Sequence, residues 1–399
     1  MIEFNKRILK NGITLLSEER NQPLVAIFAA IKQGAANEKA QEKGITHFLE
    51  HMIFRNTKKR TSQEIDEIIE KTGGSRNGST EQDLTTFYVK LPSKYLELGI
   101  EVISEMIQNP SFSLEDIEKE RKIIFEEIKM QHDLPQLYVL KKLINLLYAS
   151  PFGAPMIGNI ETLNRINKET LEARHLSYMP KNLIISVVGN ASIKEAEEII
   201  NKKFVFKNNN AVLFQPHINK ISAESIEKRP NIDQAQIAFG FHMPTAIEKS
   251  RYSAEIFDSI LIQGMSSRLY QEVREKRGLA YHIDGLYDSG TRYGMEIIYA
   301  GTSPDKVKLI KSLILKEINS LKTISKKELA ETKEKLIGSF ELSREKSEIV
   351  AKELIYEEIA NGAEEYYNYI KRISEVDLEE VRKIPRQIKK YSFSALLPK

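Results

Sequence analysis

Hydrophobic residues recur along this chain with two periods, and each period marks a kind of element. Continuous or alternating apolar runs predict strands at 8–18, 23–34, 83–91, 183–190, 236–241 and 296–303. Leu24 to Ile31 is almost wholly apolar and predicts a central strand; 8–18, which turns at Asn11-Gly12, is expected to pair with it as a hairpin. Arg76 to Thr80, polar and glycine-containing, reads as an edge segment. Apolar positions three and four apart predict helices over 44–54, 95–107, 114–132, 134–149, 192–204 and 252–262, with one closing near His175 and one running through Ile318. Thr61-Ser62-Gln63-Glu64 opens a further helix as a capping box, Gly73-Gly74 ends it, and Ser113-Leu114-Glu115-Asp116 caps the helix over 114–132.

The pattern runs once through 1–206, fades over a linker at 207–228 that contains Asn208-Asn209-Asn210, and restarts over 229–399. The unit Leu183–Phe204 (apolar strand, turn opening at Gly189, amphipathic helix) is mirrored by Glu296–Ile318 with its turn at Gly301. The expectation is an α+β protein of two diverged, homologous halves. A chain of 399 residues suits two domains of that size.

Composition narrows the functional classes. The 59 basic and 56 acidic residues are well mixed, so nothing suggests a nucleic-acid partner. Cysteine is absent, which excludes disulfides and thiolate ligands; any metal must be held by His and carboxylates. Met1 to Arg7 lacks the apolar core of a signal peptide, and no apolar run approaches membrane-spanning length. A cytoplasmic protein without membrane contact is expected.

The stretch Gly44 to Phe54 carries the chemistry. Ile45, Phe48, Leu49, Met52 and Ile53 form one buried stripe, while His47, Glu50 and His51 fall on the opposite side. Two imidazoles four residues apart can grip one cation, with a carboxylate beside them to act on a bound water. The pattern His47-x-x-Glu50-His51 is the inverted zinc-peptidase motif. The plainer reading is a solvated polar helix face. A catalytic zinc takes three protein ligands and leaves one position open. The remaining His are scattered singly at 132, 175, 217, 242 and 282, so the glutamate-rich helix 114–132 is the better source; in it Glu120 and Glu127, two turns apart, share a face.

The sequence resembles the pitrilysin-like (insulinase and mitochondrial processing peptidase) zinc metallopeptidases, in their short two-domain branch, along essentially its whole length. The matching residues are Gly44-x-x-His47-Phe48-Leu49-Glu50-His51-Met52-x-Phe54-Arg55-x-Thr57, Gly73-Gly74-x-x-Asn77-x-x-Thr80, Glu120-Arg121 with Glu126-Glu127, Pro151-Phe152-Gly153, and Ser267-Arg268-Leu269-Tyr270 through Arg274 to Tyr281. The resemblance implies two α/β-roll halves closing as a clamshell around a cavity. It implies one Zn²⁺ held by His47, His51 and Glu127, with Glu50 as general base on zinc-bound water and Glu120 as an outer carboxylate supporting the site. It further implies that peptide substrate adds as a strand to Asn77, Gly78, Ser79 and Thr80, and that Arg274 and Tyr281 reach the substrate carbonyl. One departure is Gly78, where the family commonly has Ala; glycine is expected to loosen this strand.

The function expected is therefore zinc-dependent endopeptidase action on short or unfolded peptides. Both the zinc motif and the Arg/Tyr pair lie on one chain, which argues for a homodimer over a heterodimer. The competing readings are a non-catalytic scaffold of the same fold and a metal-dependent hydrolase of small molecules.

Overall fold

The computed structural model describes residues 3–206 and 214–399. Its strands are β1 (Glu3–Ile8), β2 (Thr14–Glu19), β3 (Leu24–Ile31), β4 (Ser75–Thr80), β5 (Thr85–Pro92), β6 (Leu183–Gly189), β7 (Glu224–Arg229), β8 (Ala235–His242), β9 (Ala280–Ser289), β10 (Gly294–Thr302) and β11 (Ser392–Pro398). Its helices are α1 (Ile45–Ile53), α2 (Ser62–Glu70), α3 (Leu96–Gln108), α4 (Leu114–Asp133), α5 (Pro135–Leu147), α6 (Ile160–Asn164), α7 (Lys168–His175) and α8 (Ile193–Lys203). In the later part of the chain follow α9 (Arg251–Leu261), α10 (Val307–Ser320), α11 (Lys326–Ser343), α12 (Ser347–Ala360), α13 (Glu365–Glu375) and α14 (Leu378–Gln387).

The strands form two sheets, ordered β1-β2-β6-β3-β5-β4 and β7-β11-β8-β10-β9. Leaving β1 aside, each strand of the first sheet matches the strand five later in the second. The hands of pairing agree as well: β2 with β6 and β7 with β11 are parallel, and the remaining pairs are antiparallel. The fold is thus mixed α and β in two topologically equivalent halves.

Three sequence expectations need correction. β2 and β3 do not pair as a hairpin; β6 lies between them, parallel to β2 and antiparallel to β3. The Asn11-Gly12 turn instead joins β1 to β2, which pair from Ile8–Thr14 to Glu3–Glu19. The internal match was also misregistered: topology equates β6 with β11, and β10–α10 with β5–α3. Apolar strand–turn–helix units are alike wherever they occur, so local pattern could not choose the register.

The expected halves, 1–206 and 229–399, differ from the compact units. One unit comprises 1–127, 155–216 and 343–367; the other comprises 128–154, 217–342 and 368–399. α5 from the first half of the sequence packs on β8 and β11, and α12 from the second packs on β3 and β6. Those strand pairs correspond, so each sheet is covered at the same place by a helix lent from the other half. Of the expected linker, 207–213 lies outside the described residues, and Glu224–Arg229 is strand β7, hydrogen-bonded along β11.

Candidate metal centre

Helix α1 is set in place by a buried carboxylate outside it. Gly44 precedes the helix at φ +94°, a conformation that favours glycine, and a side chain there would meet Ile157 O at 2.5 Å. Glu38 accepts from the amides of Gly44 at 3.2 Å and Thr46 at 2.8 Å, satisfying first-turn donors that have no partner within the helix. Lys43 neutralises Glu38 at 3.1 Å. Ile45, Phe48, Leu49, Met52 and Ile53 are buried as the stripe predicts, the larger of them contributing about 1.5–3 kcal/mol each. α1 packs on β4 and α7, which fixes the opposite face.

Helix α4 supplies the carboxylates. Ser113 caps it by accepting from the Asp116 amide, and Arg121 ties it down by donating to the carbonyls of Leu163 and Ile166. Glu127 Oε2 then lies 3.8 Å from His47 Nε2 and 3.9 Å from His51 Nε2. One ligand atom from each of these three residues falls within 4.8 Å of the others, which marks them as a possible ion-binding group among the described residues. Nitrogen and oxygen ligands on one tetrahedral zinc stand roughly 3.4 Å apart, so the two Glu127 distances need contract by only a few tenths of an ångström. The donor set fits a borderline cation in a chain without cysteine.

Glu120 does not join the three. Its side chain is 4% exposed, accepts from His51 Nδ1 at 2.8 Å through Oε2, and is bonded to Arg55 through Oε1. That hydrogen bond places the His51 proton on Nδ1 and leaves Nε2 facing Glu127. Arg55 appears in the sequence motif but had been given no role there; only folding brings it to Glu120.

Glu50 is 9% exposed and accepts from Thr80 Oγ1 at 3.2 Å. Burial pushes its pKa above the usual carboxylate range, against the opposing pull of the His51 charge and the Thr80 hydrogen bond. For His51, burial opposes protonation, but the hydrogen bond to Glu120 and the charges of Glu50, Glu120 and Glu127 outweigh it and raise its pKa. A buried, reluctantly ionised carboxylate beside two imidazoles and a third ligand is an arrangement for proton transfer at a metal.

Comparison with known proteins identifies the family. Residues 14–159 match the insulinase (peptidase family M16) family, and residues 165–336 match the peptidase M16 inactive domain. The uncharacterized zinc protease YmxG of Bacillus subtilis is 30% identical over 390 residues, covering 95% of this chain and 94% of that protein. The chain belongs to the insulinase family, peptidase family M16. An uncharacterized zinc protease of Rickettsia bellii is 32% identical over 356 residues, covering 86% of this chain and 84% of its own. The fold of a protease from Helicobacter pylori superposes with a TM-score of 0.94 at 22% identity, with both chains fully covered.

The other residues expected to serve this insulinase-family site fall into two places. β4 is an edge strand paired only with β5, as its polarity predicted. Within it Asn77 Oδ1 accepts from the Gly78 amide at 2.8 Å, Ser79 Oγ meets Thr86 Oγ1 at 2.9 Å, and Thr80 turns to Glu50. Gly78 is not a loosening substitution. A Cβ there would stand 2.6 Å from the Phe54 ring and 2.8 Å from Thr86 O, so the absent side chain is what lets α1 close on β4. Arg274 and Tyr281 belong to the other compact unit. Arg274 lies near the end of the short π-helix Tyr270–Glu275, over the rings of Tyr270 at 5.0 Å and Tyr281 at 5.3 Å. Tyr281 is 82% exposed at the start of β9, an edge strand matching β4 in topology.

Proposed function

We propose that this chain is a zinc-dependent endopeptidase acting on short or unfolded peptides, with His47, His51 and Glu127 holding the ion. The observation that carries this reading is the meeting of those three side chains beside a buried Glu50 whose pKa is raised. When bound, the metal supplies Lewis-acid polarisation and makes an attacking water acidic near neutral pH. Glu50 takes the proton of that water and returns it to the leaving amine; its raised pKa suits both transfers. Glu120 holds His51 in the orientation that a ligand needs, and Arg55 holds Glu120 in place.

The edge of β4 offers backbone hydrogen bonds to an extended substrate, which gives affinity without demanding particular side chains. Arg274 and Tyr281 are the donors proposed for the developing oxyanion. Because the motif and this pair lie on one chain, a homodimer serves the proposal better than a mixed pair of subunits. No helix among the described residues is long and apolar enough to cross a membrane.

The test is hydrolysis of quenched fluorescent peptides by the purified chain, with and without chelator, with zinc restored, and with Glu50→Gln alongside. Chelator-sensitive cleavage, reduced by about 10²–10⁴-fold in the variant with zinc retained, is expected. No cleavage by protein that carries one zinc per chain would favour the scaffold reading.

A further inference from the structure

Beside the metal centre, within the first compact unit, lies a cavity of about 460 Å³ with Glu50 and His51 at one end and Phe54, Asp66 and Arg76 among its other walls. On its own the Phe54 ring would make an apolar floor. Arg76, on β4, changes that: its guanidinium lies over the ring at 5.1 Å from the centroid. The side chain is only 9% exposed. Its Nε donates to Asp66 Oδ1 at 2.7 Å and its Nη1 faces Met106 Sδ, a weak acceptor, at 3.7 Å. No protein acceptor meets Nη2 among the described residues. A guanidinium offers five N–H groups in a planar fork, and here a single ion-pair bond satisfies one of them.

The sign at the Arg76 end of the cavity follows from burial; of the other carboxylates that line it, Glu50 lies at the metal end and Glu120 is paired with His51 and Arg55. Asp66 is 50% exposed, so water screens it and it offsets only part of the Arg76 charge. The guanidinium is largely stripped of water and gains more from a new partner than the half-solvated carboxylate does. Arg55 also lines the cavity, but its Nε is committed to Glu120. Asn77, next to Arg76 on the edge strand, borders the same cavity, so a peptide paired with that edge runs past its mouth.

We propose that Arg76 makes this cavity a subsite selecting a carboxylate, so that substrates presenting an acidic side chain or a free C-terminus beside the cleaved bond are preferred. This inference rests on the peptidase reading above. Two sources share the chemistry, and amidating the peptide C-terminus separates them.

The experiment compares kcat/KM for matched peptides that differ only in one residue near the cleaved bond, Glu against Gln, each with free and amidated C-termini. It is run on zinc-loaded wild type, Arg76→Met, Arg76→Lys and Asp66→Asn. The Glu/Gln ratio, or the free/amidated ratio, should exceed one in wild type and fall at least about tenfold in Arg76→Met. Arg76→Lys should keep part of it, and Asp66→Asn should raise it by freeing the guanidinium. Taking ratios within one preparation cancels any misfolded fraction. Equal ratios in wild type and Arg76→Met would overturn the subsite while leaving the peptidase standing. No cleavage of any peptide by wild type would overturn the peptidase reading, and this one with it.

Discussion

His51 is oriented by Glu120: its Nδ1 donates to the carboxylate at 2.8 Å while its Nε2 looks toward Glu127 at 3.9 Å. The imidazole is thereby fixed in the tautomer and plane that a metal ligand requires. Glu120→Gln keeps an acceptor of the same shape and removes the charge; Glu120→Ala removes both and strands Arg55. Metal affinity, read by competition with a chromophoric chelator, should fall by about 10–100-fold in the alanine variant and by less in the glutamine variant. Equal affinity in all three proteins would remove Glu120 from the site.

The raised pKa of His51 makes metal retention pH-dependent. A proton and the ion compete for the imidazole, and the proton wins progressively as pH falls through a pKa above the ordinary histidine value. The apparent zinc affinity should therefore begin to decline at a higher pH than that of an unperturbed histidine pair. Removing Glu120 takes away the hydrogen bond that raises this pKa, so the Glu120→Ala profile of affinity against pH should begin its decline at lower pH. A metal-buffered titration between pH 5 and 8 measures both.

Gly78→Ala tests the contact between α1 and β4. The new methyl would press on the Phe54 ring and on Thr86 O, and overpacking of this kind costs about 1–3 kcal/mol. Thermal denaturation should show the loss, and Phe54→Leu in the same chain should recover part of it, since the ring is the contact that can yield. Full stability in the single variant would mean that β4 shifts freely, as the sequence alone had suggested.

Much of the fold and the pairing of His47 with His51 could be read from periodicity and spacing, while Glu127 was implied by the family resemblance. α1 declares itself because its five apolar residues must face a core, which leaves His47, Glu50 and His51 together on the other side. Glu127 rather than Glu126 meets the two histidines, because only 127 shares the face of Glu120 two turns before it. What periodicity could not reveal was long-range order. β6 inserts between β2 and β3 from more than 150 residues away in sequence, and no local pattern records that choice of neighbour. The exchange of α5 and α12 between units is equally invisible, since each helix is amphipathic whichever sheet it covers. Arg55 stood in the sequence only as a motif residue and Arg76 only in an edge segment; their partners, Glu120 on α4 and Asp66 on α2, are brought to them by the fold.

The second unit carries a buried acidic pair whose effect on stability has a definite sign. Glu296 on β10 is wholly buried, beside Asp258 on α9. Burial drives its pKa well above the usual range, and the charge of Asp258 on α9 adds to the effect. Burial pushes Asp258 up to about 6, while hydrogen bonds from Gln263 and Glu296 and the charge of Lys335 pull it down and Asp284 pushes it up. Carboxyls raised in this way hold protons in the folded state that they release on unfolding. Their contribution is therefore most favourable at low pH and is lost as pH climbs from the unfolded value near 4 through 6 and beyond. Glu296→Gln keeps the shape and removes the titration. Its melting temperature minus that of wild type should grow more positive between pH 5 and pH 8, a difference that cancels the carboxylates not coupled to Glu296. A constant difference across that range would mean that Glu296 is not the group holding the proton.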